Sequence, residues 1–186
     1  HTLGSVFEKE VKIQLEVYKA PSCGCCKKWI SHIEKQDIIV NAQDLYDIGD
    51  IKSKFNINPN LRSCHTTVSM EGYVFEGHVP AKFITRFLVD KHHDALGLSV
   101  PGMPLSSPGM ELNERFMPYE ILLLLKDGSS QVYTTIKHYE EQFWMNLFNT
   151  NIQNNALYNN ERTTTGIEQW INQWERSKPA VNSING

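Results

Sequence analysis

Three of the chain's four cysteines fall in one turn, Cys23-Gly24-Cys25-Cys26, directly after Ala20-Pro21-Ser22. The fourth, Cys64, stands in Arg62-Ser63-Cys64-His65. A disulfide scaffold spreads its bridges along the chain. Several thiols at one point suit soft-metal binding or thiol redox chemistry instead. Adjacent Cys25 and Cys26 make a poor bridge, and a purely structural cluster leaves Cys25 idle. Cys23 and Cys26 have the Cys-x-x-Cys spacing that serves either chemistry, while the additional Cys25 and Cys64 favour metal. Soft thiolates select Cu(I) or zinc. Four cysteines could complete a tetrahedral zinc set, but three sulfurs from one turn crowd a single ion. Thiolates that bridge several Cu(I) ions suit that crowding better.

Other donors are candidates by position. His65 adjoins Cys64, and His78 stands in Glu76-Gly77-His78-Val79-Pro80 at a strand end. Met103 and Met110 sit in two copies of a Pro-Gly-Met turn, Pro101-Gly102-Met103 and Pro108-Gly109-Met110, where a core-filling role is unusual. Their thioethers are soft enough for Cu(I). Met70, Met117 and Met145 are expected in the core, and His1, His32 and His138 on the surface. His92-His93 ends a helix and suits its dipole. Arg62 is open between a structural role and steadying thiolate charge.

The elements that must position these residues follow from periodicity. Glu10 to Tyr18 alternates apolar and polar residues, which predicts a strand with Val11, Ile13, Leu15 and Val17 on one face. Ser22 can cap a helix in which Trp29, Ile30 and Ile33 recur at helical spacing. The cysteines therefore sit at a strand-to-helix junction, where the helix N-terminus and Lys27 and Lys28 favour thiolate. Ile38-Ile39-Val40 reads as a short buried strand, and Ile48, Ile51 and Phe55 have helical spacing. Thr66–Met70 and Tyr73–Gly77 flank a Glu71-Gly72 turn as a hairpin. Pro80 opens a helix to about Lys91. From Asp94 the chain reads as a loop. Tyr119–Lys126 and Gln131–Ile136 form a second hairpin able to extend the sheet. The order β-α-β-α-β-β-α, with Cys-x-x-Cys after the first strand, is the thioredoxin-like arrangement. A thiol, Cys64, replaces the proline usual before the third strand.

At 186 residues with 40% hydrophobic content, the chain can bury a real core. A net charge of −3 gives no electrostatic reason to expect nucleic acid. No apolar run is long enough to predict a membrane span. The start at His1 fits a removed leader or a cleaved expression tag. Residues 8–136 are expected to form the metal-binding domain. Residues 137–186, rich in Asn and Gln, are expected to form a helical C-terminal extension with two aromatic faces, Phe143/Trp144/Leu147/Phe148 and Trp170/Ile171/Trp174. Such faces must be buried on the core or across a homodimer, and they are expected to add no metal ligand.

Taken together, several ordered motifs resemble the CopG-type copper-resistance proteins, a bacterial metal-binding family with a thioredoxin-like fold. The matching stretches are Val17-Tyr18-Lys19, Cys23-Gly24-Cys25-Cys26-Lys27-Lys28-Trp29, Leu61-Arg62-Ser63-Cys64-His65-Thr66 and Glu76-Gly77-His78-Val79-Pro80. Gly97-Leu98-Ser99-Val100-Pro101-Gly102-Met103-Pro104 and Ser107-Pro108-Gly109-Met110-Glu111 complete them. The resemblance covers about Val11 to Tyr133, and the segment from His138 has no counterpart in it. It implies an exported, periplasmic protein that contributes to copper resistance by sequestering copper or cycling it between Cu(I) and Cu(II). A further expectation, apart from the resemblance, is a copper chaperone that docks on an efflux partner through the C-terminal extension. The rival expectation is a thiol–disulfide oxidoreductase in which Cys23 attacks and Cys26 resolves.

Overall fold

The computed structural model describes residues 12–90 and 92–144. All of them belong to the first of the two units into which the chain divides after Met145. The class is α/β. Seven strands form one mixed sheet in the order β2-β1-β3-β4-β5-β6-β7. The first strand, β1 (Gln14–Lys19), runs parallel to β2 (Ile39–Asp44) and antiparallel to β3 (His65–Ser69). Next, β4 (Val74–Glu76) pairs antiparallel with β3 and parallel with β5 (Ala95–Ser99). The second hairpin, β6 (Tyr119–Leu125) and β7 (Ser130–Ile136), extends the sheet through β5. Three helices join these strands: α1 (Gly24–Glu34), α2 (Gly49–Lys54) and α3 (Ala81–Asp90).

The core explains the helix carrying the cysteines. Cys26, Trp29 and Ile33 lie on one face of α1 and are buried. Trp29 belongs to one buried cluster with Leu15, Val17, Phe75 and Val79, and its indole Nε1–H donates to the Val79 carbonyl at 2.9 Å. Each large side chain of this kind is worth about 1.5–3 kcal/mol of burial, so the first turn of α1 is anchored from beneath.

Several expectations are corrected. The Ile38–Val40 segment is not a buried strand. Ile39 and Val40 open the edge strand β2 and are not buried, Ile39 being 47% exposed, while the buried Ile38 lies just before it. The stretch beyond Asp94 is not all loop, because it begins with β5. Gly97 there, at φ +157°, lies so close to β4 that a Cβ would sit 1.7 Å from the Val74 carbonyl oxygen. Met70 and Met117 are not core residues, at 76% and 51% exposed, since they lie in a hairpin turn and a loop. His32 is not a surface residue. It accepts the Ala81 backbone N–H at 3.0 Å, and burial pushes its pKa down to about 4. Phe143 and Trp144 do not open a helix. They follow a 3-10 turn, Tyr139–Gln142, that packs on the sheet through a Tyr119–Gln142 hydrogen bond of 2.6 Å. The rest of the aromatic faces, and Met145, lie outside the described residues. Among the described residues no helix is long and apolar enough to cross a membrane.

One buried ion pair fixes the segment that carries Cys64. Lys52 of α2 reaches Glu76 of β4 at 2.5 Å and Thr66 Oγ1 at 2.9 Å. The same carboxylate accepts the Ser63 backbone N–H and the Thr66 hydroxyl, each at 2.7 Å. Glu76 thus grips the residues on both sides of Cys64-His65. Burial pushes its carboxyl pKa up, and Lys52 opposes that rise. Lys52→Met leaves the carboxyl buried without its cation, and a loss of about 3–5 kcal/mol is expected in urea unfolding at neutral pH. A buried carboxyl with a raised pKa is tolerated in its neutral form, so the loss should shrink as pH falls and grow as pH rises through that pKa. A deficit below about 1 kcal/mol, or one independent of pH, would contradict this role.

Candidate metal centre

Three elements converge on the site. The β1–α1 junction supplies Cys23, Cys25 and Cys26. The start of β3 supplies Cys64 and His65, and the turn after β4 supplies His78. β1 and β3 are antiparallel neighbours, with Lys19 opposite His65, so the end of β1 and the start of β3 lie together. That pairing brings residues some forty positions apart into contact.

The four sulfurs form a compact group, all within 4.8 Å of one another. Cys23 and Cys26 are joined as a disulfide. Cys25 Sγ lies 3.5 Å from Cys23 Sγ, and Cys64 Sγ lies 3.6 Å from Cys26 Sγ. Cys23 also caps α1, its Sγ accepting the Cys26 backbone N–H at 3.3 Å. On its other side Cys64 Sγ meets His65 Nδ1 at 3.3 Å and His78 Nε2 at 3.0 Å. Cys23, Cys25 and Cys64 are half-buried, while Cys26, His65 and His78 are buried. The site therefore opens outward on its sulfur side and is closed on its imidazole side. The structure brings together all six Cys and His candidates, in two overlapping groups that share Cys64.

The donors are suited to a metal. Ligands at about 2.0–2.3 Å from one ion can be no more than about 4.5 Å apart, and each contact given above is shorter. His78 Nδ1 faces the Pro108 carbonyl at 2.7 Å. A carbonyl only accepts, so Nδ1 carries the proton and the Nε2 lone pair is turned to Cys64. An imidazole whose second nitrogen is held by a backbone carbonyl is a typical prepared ligand. Burial lowers the pKa of His78 and, more strongly, of His65, so both rings are neutral at neutral pH. His65 is fully buried, and its Nε2 has no hydrogen-bond partner. Burying a polar ring so poorly satisfied is costly, which marks it as held for something other than packing.

The Pro-Gly-Met turns flank the thiols. Gly102 N–H donates to the Arg62 carbonyl at 3.3 Å, beside Ser63 and Cys64, and the Ser63 hydroxyl donates to the Gly102 carbonyl. Gly109, at φ +90°, rests on the first turns of α1. A Cβ there would meet the Trp29 nitrogen at 2.7 Å and the Cys25 carbonyl oxygen at 2.8 Å. Met103 is 52% exposed and Met110 half-buried. Their backbones border the site, but no contact from either thioether to a thiol or imidazole is among the described interactions. Arg62 is structural, donating from Nε to the Ile57 carbonyl at 3.0 Å and from Nη2 to Ser53 Oγ at 3.3 Å.

Sequence reasoning missed Lys52, Glu76 as a clamp, and the Pro108 carbonyl. An acid directly after the apolar pair Val74-Phe75 was the one available signal for Glu76. Nothing in the sequence marks the Pro108 carbonyl or the Lys52 ammonium.

Fold and site together define an α/β protein with a Cys/His cluster able to bind metal. Comparison with known proteins agrees. Residues 61–110 match a family model described as a protein of unknown function, DUF411. A search of the curated proteins finds no significant match. Two solved structures of a copper resistance protein CopG, its forms 2 and 1, are each 35% identical to this chain with a TM-score of 0.64. They cover 68% of this chain and 99% and 98% of their own. The chain belongs to the CopG family of copper resistance proteins.

Burial, with Cys25 adding to it, pushes the Cys64 thiol up to about 12. In the metal-free disulfide form Cys64 is therefore expected to be a thiol at pH 8, where an unperturbed cysteine is about a quarter ionised. Alkylation followed by peptide mass spectrometry should show Cys64 reacting at least about a hundredfold more slowly than glutathione at pH 8. The rate should still be climbing above pH 10. A plateau near pH 9 would overturn the assignment.

Proposed function

We propose that this protein binds copper, chiefly as Cu(I), through Cys23, Cys25, Cys26 and Cys64, and that it serves copper resistance by holding copper and cycling it between Cu(I) and Cu(II). The observation that carries the reading is the compact group of four sulfurs, all within 4.8 Å of one another, three of them half-buried, with two neutral imidazoles against Cys64. Thiolates select Cu(I), and sulfurs this close can bridge, so several ions per chain belong to the proposal. His65, His78, Met103 and Met110 are the proposed supplementary ligands. Support for the methionines is the docking of both Pro-Gly-Met turns against Arg62 and Cys25.

The thioredoxin-like description belongs to the same reading. It is supported by the order β2-β1-β3-β4 and by the Cys-x-x-Cys turn after β1. A periplasmic location and delivery to a copper efflux or chaperone protein rest on family membership alone.

The Cys23–Cys26 disulfide favours a second reading, a thiol–disulfide oxidoreductase. Buried Cys26 and more open Cys23 suit the resolving and attacking roles respectively. One set of variants separates the two. Under anaerobic conditions the reduced protein, titrated with Cu(I) beside a competing chelator, should take up more than one ion per chain. Cys25→Ser should lower that number, and protein disulfide reduction should be weak. Zero stoichiometry, or strong reductase activity that survives Cys25→Ser with copper content unchanged, would sink the copper reading and support the other.

A further inference from the structure

The two donor groups differ in hardness and depend differently on the disulfide. With Cys23 and Cys26 bonded to each other, two of the four sulfurs carry no thiolate. Cys64, His65 and His78 are positioned by contacts that do not pass through that bond. The Cys64-His65 segment is held by Glu76 through Ser63 and Thr66. His78 is held by the Pro108 carbonyl at 2.7 Å. His65 Nδ1 and His78 Nε2 already lie 3.3 and 3.0 Å from Cys64 Sγ while the disulfide is closed. Two imidazoles and one thiolate form a borderline donor set with an open fourth position, which suits a divalent ion of the zinc class.

Opening the disulfide changes the set. An external dithiol supplies two electrons and two protons. The Cys23–Cys26 bond breaks, two cysteine thiols form, and the dithiol closes to its own disulfide. Cys26 Sγ, 3.6 Å from Cys64 Sγ, then joins a group of four sulfurs. Cys64 belongs to both groups, so they cannot both be filled independently.

We propose that the Cys23–Cys26 pair selects the metal. The disulfide form holds one borderline divalent ion at Cys64, His65 and His78, and the dithiol form exchanges it for Cu(I) on the sulfur cluster. This rests on the copper reading only for its second half. The divalent site stands on the geometry of the closed form.

The test uses the whole chain, prepared anaerobically in disulfide and in fully reduced form, with thiols counted by mass spectrometry. Zn(II) is the probe for the disulfide form because it does not oxidise Cys25 or Cys64. One Zn(II) per chain is expected, weakened at least tenfold by His78→Ala. Cys25 is the other free thiol of the disulfide form, so Co(II) is added to a Cys25→Ser variant, where a thiolate charge-transfer band reports Cys64 ligation even if the His78 variant fails to fold. The Cu(I) capacity of the disulfide form should be less than half that of the reduced form. Adding dithiol and Cu(I) to the zinc-loaded protein should release the zinc. The proposal is overturned if the disulfide form binds no Zn(II), if Co(II) shows no thiolate band, or if a folded His78→Ala variant binds Zn(II) as tightly as the parent. It also falls if Cu(I) capacity is equal in the two forms. Failure of the reduced protein to take Cu(I), with zinc binding intact, would count against the copper reading and leave the divalent site standing.

Discussion

The site depends on a carboxylate that touches no metal candidate. Glu76 is wholly buried, neutralised by Lys52 and satisfied by the Ser63 N–H and the Thr66 hydroxyl. An ion pair in such a place adds little net stability compared with apolar packing, but breaking it is costly. Its effect here is positional. It ties α2, the segment before β3 and the end of β4 to one point. The backbone on either side of Cys64-His65 can then take only one course. His78 follows two residues after Glu76 and is aimed back at the same thiol. The clamp thus sets the imidazole side of the site before any ligand arrives.

The sulfur side is set by different physics. Trp29 and Ile33 sink α1 into the core, which presents the preceding turn at the sheet end. Cys23 closes the helix start with its own sulfur by accepting the Cys26 N–H, so these two cysteines are part of the cap rather than ornaments on a loop. The Pro108-Gly109 segment joins the two sides. Its carbonyl fixes the His78 proton, and its glycine lies against the Cys25 carbonyl where no side chain would fit. Displacing that loop would disturb both halves at once. This gives the second Pro-Gly-Met turn a structural reason to exist, whatever its thioether does.

How much of this was legible in the sequence follows from how local each signal is. The cysteine turn, the strand before it and the helix after it lie within about two dozen consecutive residues, and residue type alone exposes them. Cys64-His65 was legible through adjacency. The Lys52–Glu76 pair was not, because its partners are 24 positions apart and Lys52 reads as an ordinary polar residue on a short helix. β5 was hidden because it has only five residues and contains a glycine, which signals a loop until the close approach of Val74 is known. β2 looked buried from its apolar start. Its place at the sheet edge, which sequence periodicity does not report, leaves it exposed. His32 was misread because a lone histidine on a helix carries no sign of the Ala81 N–H it will accept.

The central claim is that thiols from the α1 turn and from the start of β3 bind metal together with the His78 ring. X-ray absorption at the copper edge, on reduced protein loaded with Cu(I), tests it most directly. The account predicts a first shell dominated by sulfur with outer-shell imidazole scattering. That scattering should fall in His78→Ala, and the sulfur count should fall in Cys64→Ser. A first shell of oxygen and nitrogen alone, or a sulfur shell unchanged by Cys64→Ser, would contradict it.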